Sequence, residues 1–263
     1  MSAHKLRDYA SYKRVFAVWQ RHFATYRANW FSNFFAPIYE PILLLIIFGS
    51  GFSALVETVV YLGVPTSYLA FLVSGMLGIT CVQTSLNEGA YCTFTTLGSS
   101  NLWKSRLSSP LNFEEIFLGD LLWGATKGIV ATNLVGVVII ASGNFLPYNL
   151  LLMQPVIWIS ALLLSSLGVL IGSLSDTAGT LANALNFINV PMLLVCGAFF
   201  PRSSYPPEVE FFVSFLPLSP ILDIMRAHLA VEHPAVKFIS LIVEFAVIIP
   251  VARYFLHKRV YES

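Results

Sequence analysis

Six stretches of this sequence, at about 31–55, 68–91, 116–142, 150–174, 181–200 and 236–256, are each long and apolar enough to cross a bilayer. A helical crossing takes about 20 residues. Backbone N–H and C=O groups find no partner in hydrocarbon, so runs of this kind must close their hydrogen bonds within themselves as helices. Little is left over for a soluble domain, because 56% of the 263 residues are hydrophobic, only 11% are charged, and the mean hydropathy is +0.73. A soluble domain carries more than twice that charge. The expected fold is an all-α polytopic membrane protein: a permease-like unit over 31–263 with six transmembrane helices, preceded by a distinct segment at 1–30.

That first segment is basic throughout and lacks the compact apolar core and small-residue cleavage site of a secretory signal. Tyr12, Val15, Phe16, Trp19, Phe23, Tyr26 and Trp30 recur at intervals of three and four, while Lys13, Arg14, Gln20, Arg21 and Arg27 take the other side. The period predicts an amphipathic helix lying along the inner membrane surface, with lipids as its partner and Phe16, Trp19, Arg21 and Phe23 as its main contacts. An ordinary surface helix docked on the protein is the alternative. The aromatic face suits a membrane and not a nucleic acid.

Lysine and arginine placement orients the chain. With the N-terminal arm, the 92–115 linker and the C-terminus inside, Lys5, Arg7, Lys13, Arg14, Arg21, Arg27, Lys104, Arg106, Arg253, Lys258 and Arg259 are cytoplasmic, and only Arg202, Arg226 and Lys237 lie outside. Both termini are then cytoplasmic. The linker itself is Gly/Ser-rich and polar, and Leu102, Trp103, Arg106 and Leu107 are spaced for one or two helical turns ended by Pro110. Taken alone, it reads either as a solvated loop or as a short helix made to plug a cleft on another protein.

Glu40, Glu88, Lys127 and Glu244 are read as the intramembrane charges. Lys127 sits roughly 15 Å from the inner edge at about 1.5 Å per residue, and Glu40 and Glu244 come to a comparable depth. An intramembrane charge is costly unless paired, so Lys127 is expected to pair with Glu40 or Glu244. Direct substrate contact is the alternative. Asn183, Asn186 and Asn189 recur every three residues in the fifth run and give it a polar stripe, read first as interhelical hydrogen bonding.

Between the fifth and sixth runs, Gly197 to Leu229 holds Pro201, Pro206, Pro207, Pro217 and Pro220. These break any single helix. Two short helices, roughly Glu208 to Leu216 and Pro220 to Leu229, are expected there, re-entrant or external and packed against protein. Cys81, Cys92 and Cys196 lack metal-ligand spacing and read as small core residues, and His4, His22, His228, His233 and His257 are scattered. No nucleotide-binding loop, GxSxG or HExxH occurs, so neither a metal nor a cofactor is expected in this chain.

GAFFP, a YPP pair and FLPLSP followed by DIMR, taken in order, resemble the block after the fifth span of type-2 ABC exporter permeases. EPILLLIIFGSGF, SYLAFLVSGM, GDLLWGATKG and PVIWISALLLSSLG extend the likeness over nearly the whole chain, which is most similar to the nodulation-factor exporter branch that also includes daunorubicin-type drug exporters. The resemblance implies a homodimeric permease of a bacterial inner membrane with two copies of a separate ATPase, which binds the ATP and Mg. It also implies a coupling helix between spans two and three, here Leu102, Trp103, Lys104, Arg106 and Leu107, and an external gate segment containing Pro201, Pro206, Pro207, Pro217, Pro220 and Arg226. The cargo would be a lipid-modified glycan, a lipid or a drug. An ion-coupled carrier or intramembrane enzyme using Glu40, Glu88 and Lys127 is the competing expectation.

Overall fold

The computed structural model describes residues 11–28, 30–52, 56–98, 103, 106, 108–143, 146–214, 216–227, 229 and 235–261. Helix α1 spans Tyr12–Ala28, and α2, Trp30–Ile46, passes through Pro37 and Pro41 before loosening into a π turn at Ile47–Phe52. Then come α3 (Tyr68–Gly98), α4 (Phe113–Ala141), α5 (Pro147–Leu174), α6 (Ala178–Val195), α7 (Pro207–Ser214), α8 (Leu218–Met225) and α9 (Ala235–Tyr261). Five of them, α3, α4, α5, α6 and α9, are long and apolar enough to cross a membrane. The first apolar run is taken up by α2 and its π turn, and falls short of that length as regular α-helix.

The expectation of an all-α chain meets one correction. Residues 56–67, which fall between the first and second apolar runs, form an antiparallel hairpin of β1 (Thr58–Tyr61) and β2 (Val64–Ser67), in register Tyr61↔Val64. β-branched Thr58, Val59, Val60 and Val64 favour the pleat. Leu62 and Gly63, with φ of 50° and 79°, close it with the double positive-φ turn that matches strand twist. Tyr61 packs edge-on against Phe71, so the hairpin sits on the first turn of α3.

Helix α3 is the axis of the bundle. Every residue from Phe71 to Val82 is buried, with α4 and α5 closing around it. Small residues let the backbones meet where helices cross in hydrocarbon. At the α3–α5 crossing a Cβ on Gly168 would land on the Leu86 carbonyl and 2.8 Å from the Ala90 nitrogen, and one on Gly89 would land on the Ser165 carbonyl. Backbone cannot swing aside as a side chain can. Helix α5 starts with Pro147 in its first turn, where the missing N–H costs nothing. Thr177 and Thr180 cap α6 reciprocally, each hydroxyl accepting the other's backbone N–H at 3.1 and 3.0 Å.

The proline-rich segment divides as expected, with a difference. Pro207 opens α7 and Pro217 precedes α8. Helix α7 stays at the surface, with Phe211 and Phe212 exposed, whereas all eight residues of α8 are buried against α3, as Leu222 over Gly78 illustrates. Irregular backbone is thus enclosed by protein.

Gly168→Val is expected to destabilise the purified protein by about 1–3 kcal/mol, the usual cost of overpacking. Gly98→Ala, where a Cβ meets nothing within 4 Å, is the control. Thermal unfolding followed by size-exclusion fluorescence checks both.

Candidate functional site

Polar side chains gather at two ends of the bundle and at one place between. At the end formed by α1, the start of α4 and the linker before it, two carboxylates on α4 are sunk into the protein. Glu115 is fully buried: one oxygen reaches back to the Asn112 backbone N–H at 3.0 Å, and the other takes the Ser11 N–H at 2.9 Å and the Arg14 guanidinium at 2.8 Å. Arg14 also donates to the Pro110 carbonyl at 3.0 Å. Asp120, one and a half turns on, is 2% exposed. Arg106 reaches both of its oxygens at 3.0 Å, and His22 of α1 meets Oδ1 at 2.7 Å. Buried carboxylates demand such partners because their desolvation costs several kcal/mol, roughly, when unmet. One nitrogen, Nη1 of Arg106, lies within reach of both oxygens, and a hydrogen bond between ionised partners is stronger than one between neutral groups.

Aromatic packing finishes the joint. Phe16, Trp19 and Phe23 stack along α1, and the Trp19 indole N–H donates to Thr126 at 3.1 Å. His22 stacks on Trp123. Trp103, 3% exposed, lies against Phe113 in a cluster with Phe117, Ala252 and Leu256, which ties the linker to α9 as well. Between α1 and the bundle an apolar groove of about 740 Å³ runs past Phe16, Trp19, Leu122 and Ile249.

Residues 13–229 match the family model described as ABC-2 type transporter. The chain belongs to the ABC-2 type transporter family. It is similar to nodulation protein J of Bradyrhizobium diazoefficiens, at 30% identity over 80% of this chain and 79% of that one. Nodulation protein J of Rhizobium leguminosarum bv. trifolii is 29% identical over 84% and 82%, and that of Rhizobium meliloti 29% over 80% and 79%. Family and apolar helices together make this a multi-pass membrane transport protein, a transport subunit and not an enzyme.

Within this ABC-2 permease the intramembrane cation is paired, and the partner corrects the expected one. Lys127 donates to Glu88 at 2.6 Å, while the Trp123 indole N–H meets the other Glu88 oxygen at 2.7 Å. Tyr26 of α1 places its ring 5.8 Å from the ammonium, within cation–π range. Glu40 is exposed on α2, and Glu244 on α9 holds a buried Oε2 without a hydrogen-bond partner among the described residues. The physical reason is direction around the helix: Glu88 faces α4, and Glu40 and Glu244 do not reach Lys127. Of the asparagine stripe, Asn189 donates to Asn87 of α3 at 2.9 Å, whereas Asn183 and Asn186 are exposed. A further polar pair, Gln154 to Asn133 at 2.8 Å, joins α5 to α4.

At the hairpin end Arg226 is buried. Its guanidinium donates to the carbonyls of Gly197 (2.7 Å), Ala198 (2.9 Å) and Phe71 (3.1 Å), and stacks 3.5 Å from the Phe71 ring centroid. Gly197, at φ +86°, turns the chain so that its carbonyl can be reached. Burial lowers the Arg226 pKa to about 10, which leaves it charged across pH 6–8. Asp223 beside it takes Arg202, Lys237 at 2.9 Å and the Tyr61 hydroxyl at 3.5 Å, so the hairpin, the turn at Arg202–Ser204 and α9 converge on one carboxylate.

Of the sequence-predicted contact residues, Phe16 and Phe23 are about half exposed and Arg21 exposed on α1, Trp103 and Arg106 face into the permease, and Leu102, Lys104 and Leu107 lie outside the described residues. Pro201, Pro206, Pro207 and Pro217 mark the turns around α7, and Pro220 is buried in α8. His228 and His233 also lie outside the described residues. Sequence reading missed His22, Asp120, Glu115 and Asp223. His22, Cys92 and Asp120 hold their donor atoms within 4.8 Å of one another, a set able to ligate zinc. A cation there would have to displace Arg106 from Asp120, so the ion pair already occupies the position.

Glu88→Gln or Lys127→Met alone is expected to cost about 1–3 kcal/mol, less than the about 3–5 of a fully buried pair. The double variant should recover most of it, while Glu40→Gln shifts stability by no more than about 0.5 kcal/mol. Thermal unfolding of the four proteins decides whether Glu88 is the partner.

Proposed function

We propose that this chain is the membrane subunit of an ATP-driven exporter that moves an amphiphile, a lipid-modified oligosaccharide in the first instance, out of the cytoplasm or inner leaflet of a bacterial inner membrane. The family match over 13–229 carries the reading, and the nodulation protein J relatives support the cargo class. In this reading α2 with its π turn completes six spans, both termini face the cytoplasm, and the hairpin, α7 and α8 form the exit side. Two copies of the chain enclose the path and two ATPase subunits bind ATP and Mg.

The residues fit that division of labour. The linker before α4 and helix α1 stand where an ATPase would press, and Trp103 and Arg106 support the linker from behind. At the exit side, Arg226 and Asp223 hold irregular backbone closed around α8. Aromatic residues, 14% of the chain, suit both sugar stacking and lipid contact. An ion-coupled carrier would need free titrating groups in the membrane. Of the three groups that alternative would use, Glu88 and Lys127 are engaged with each other, which leaves Glu40.

Copurification with its ATPase should give a complex whose ATP hydrolysis rises severalfold with a lipo-oligosaccharide, and proteoliposomes of the complex should translocate that compound only with ATP. Translocation by the isolated chain on a proton gradient would overturn the reading.

A further inference from the structure

From the two buried carboxylates of α4 we infer a latch that makes α1, the linker before α4 and the base of α4 move as one body, with Asp120 as the positioning residue that conveys motion of the linker to the spans. The inference rests on the proposed ATPase-driven function for its role, and on the geometry alone for its existence.

Three segments distant in sequence meet at Asp120. Arg106 comes from the linker, His22 from α1, and Asp120 itself from the first third of α4, at 3.0, 3.0 and 2.7 Å. Glu115 repeats the arrangement nearer the helix start, binding Arg14 and the Ser11 N–H of α1 and the Asn112 N–H at the linker's end. Side-chain exposures of 3% and 0% for the two acids exclude the water that would otherwise let these pairs exchange partners. Removing one partner of such a pair leaves a buried charge unmet, so the joint resists partial opening.

A push on the linker is therefore delivered to α4 through Arg106–Asp120 and to α1 through Asp120–His22. Trp123, one turn beyond Asp120 on α4, stacks on His22 and binds Glu88 of α3, which continues the contact into the central helix. Without the latch the linker would slide over the bundle and the ATPase would cycle without moving it. The zinc-capable cluster and the latch share His22 and Asp120, and Arg106 Nη1, 3.0 Å from both Asp120 oxygens, favours the latch.

Cys92 supplies a native reporter. Its sulfur lies 3.7 Å from His22 Nε2, beneath α1, so it reacts with N-ethylmaleimide only when α1 lifts. In a Cys81→Ala, Cys196→Ala background the Cys92 labelling rate should rise at least about tenfold in Asp120→Asn, with the wild-type residue protected with and without nucleotide. In the complex with the ATPase, Asp120→Asn should keep ATPase association and basal hydrolysis while transport per ATP falls at least about threefold. A structural role alone would lower assembly and transport together and leave that ratio unchanged. If Asp120→Asn yields no folded protein, His22→Cys reads the same device: the ratio falls in the unbridged protein, and bridging residue 22 to Cys92 with a short bis-methanethiosulfonate, each thiolate displacing a methanesulfinate, restores it.

Cys92 protected in Asp120→Asn, Cys92 exposed in the wild type during turnover, or an unchanged ratio in a folded variant each overturns the latch. If the wild type binds no ATPase while Cys92 opens in Asp120→Asn, it is the proposed function that falls, and the coupling role with it.

Discussion

A carboxylate cannot be left alone in a medium of low dielectric, and this chain uses that intolerance to decide what sits beside what. Glu115, Asp120 and Asp223 are buried, and each draws cations from segments far away in sequence: Arg14, Arg106, Arg202 and Lys237. Apolar packing alone would hold these surfaces together without choosing a register, since lipid is as good a neighbour for leucine as another leucine is. Directional, charge-assisted hydrogen bonds choose one. The direction of α1 across α4 and the seat of the linker are set in this way.

The two ends of the bundle solve different problems with the same residue types. Near α1 the task is to join an N-terminal helix and Arg106 of the preceding linker to α4, and the carboxylates do it. Near the hairpin the task is to satisfy backbone that no regular element satisfies. There one guanidinium serves three carbonyls, of Gly197, Ala198 and Phe71, while its flat face rests on an aromatic ring. Arginine is suited to this because its donors form a rigid planar array and its charge survives burial.

Much of the helical layout was legible from the chain itself. Apolar length located the starts of the five long apolar helices to within about three residues but missed ends such as that of α3 at Gly98, the three-and-four spacing from Tyr12 to Tyr26 announced α1, and prolines placed α7 and α8. The failures have physical causes. Counting residues from a membrane edge gives depth and not direction around the helix, so Lys127 was matched to Glu40 or Glu244 when Glu88 faced it. The Thr58–Tyr61 and Val64–Ser67 strands are too short to show an alternating pattern. Trp103 and Arg106 looked like an outward-facing plug because an aromatic and a cation on one turn read the same whichever way the turn faces. His22 and Asp120 carry no local signal at all, since their meaning arises only when α1 folds onto α4.

Helix α6 is attached differently from its neighbours. Leu181, Leu185 and Met192 are its buried residues, and among the described residues the Asn87–Asn189 amide contact is its one polar link to α3. A link of that kind between membrane helices averages about 0.6 kcal/mol. The molecule thus combines a closely packed block, built on α3 with α4 and α5, and a flank joined to it by three buried apolar side chains and one amide contact among the described residues. Its outward face, with Asn183, Asn186, Phe187, Val190 and Leu194 uncovered, leaves the tilt of this helix to whatever packs on it from outside, while α3, α4 and α5 fix one another.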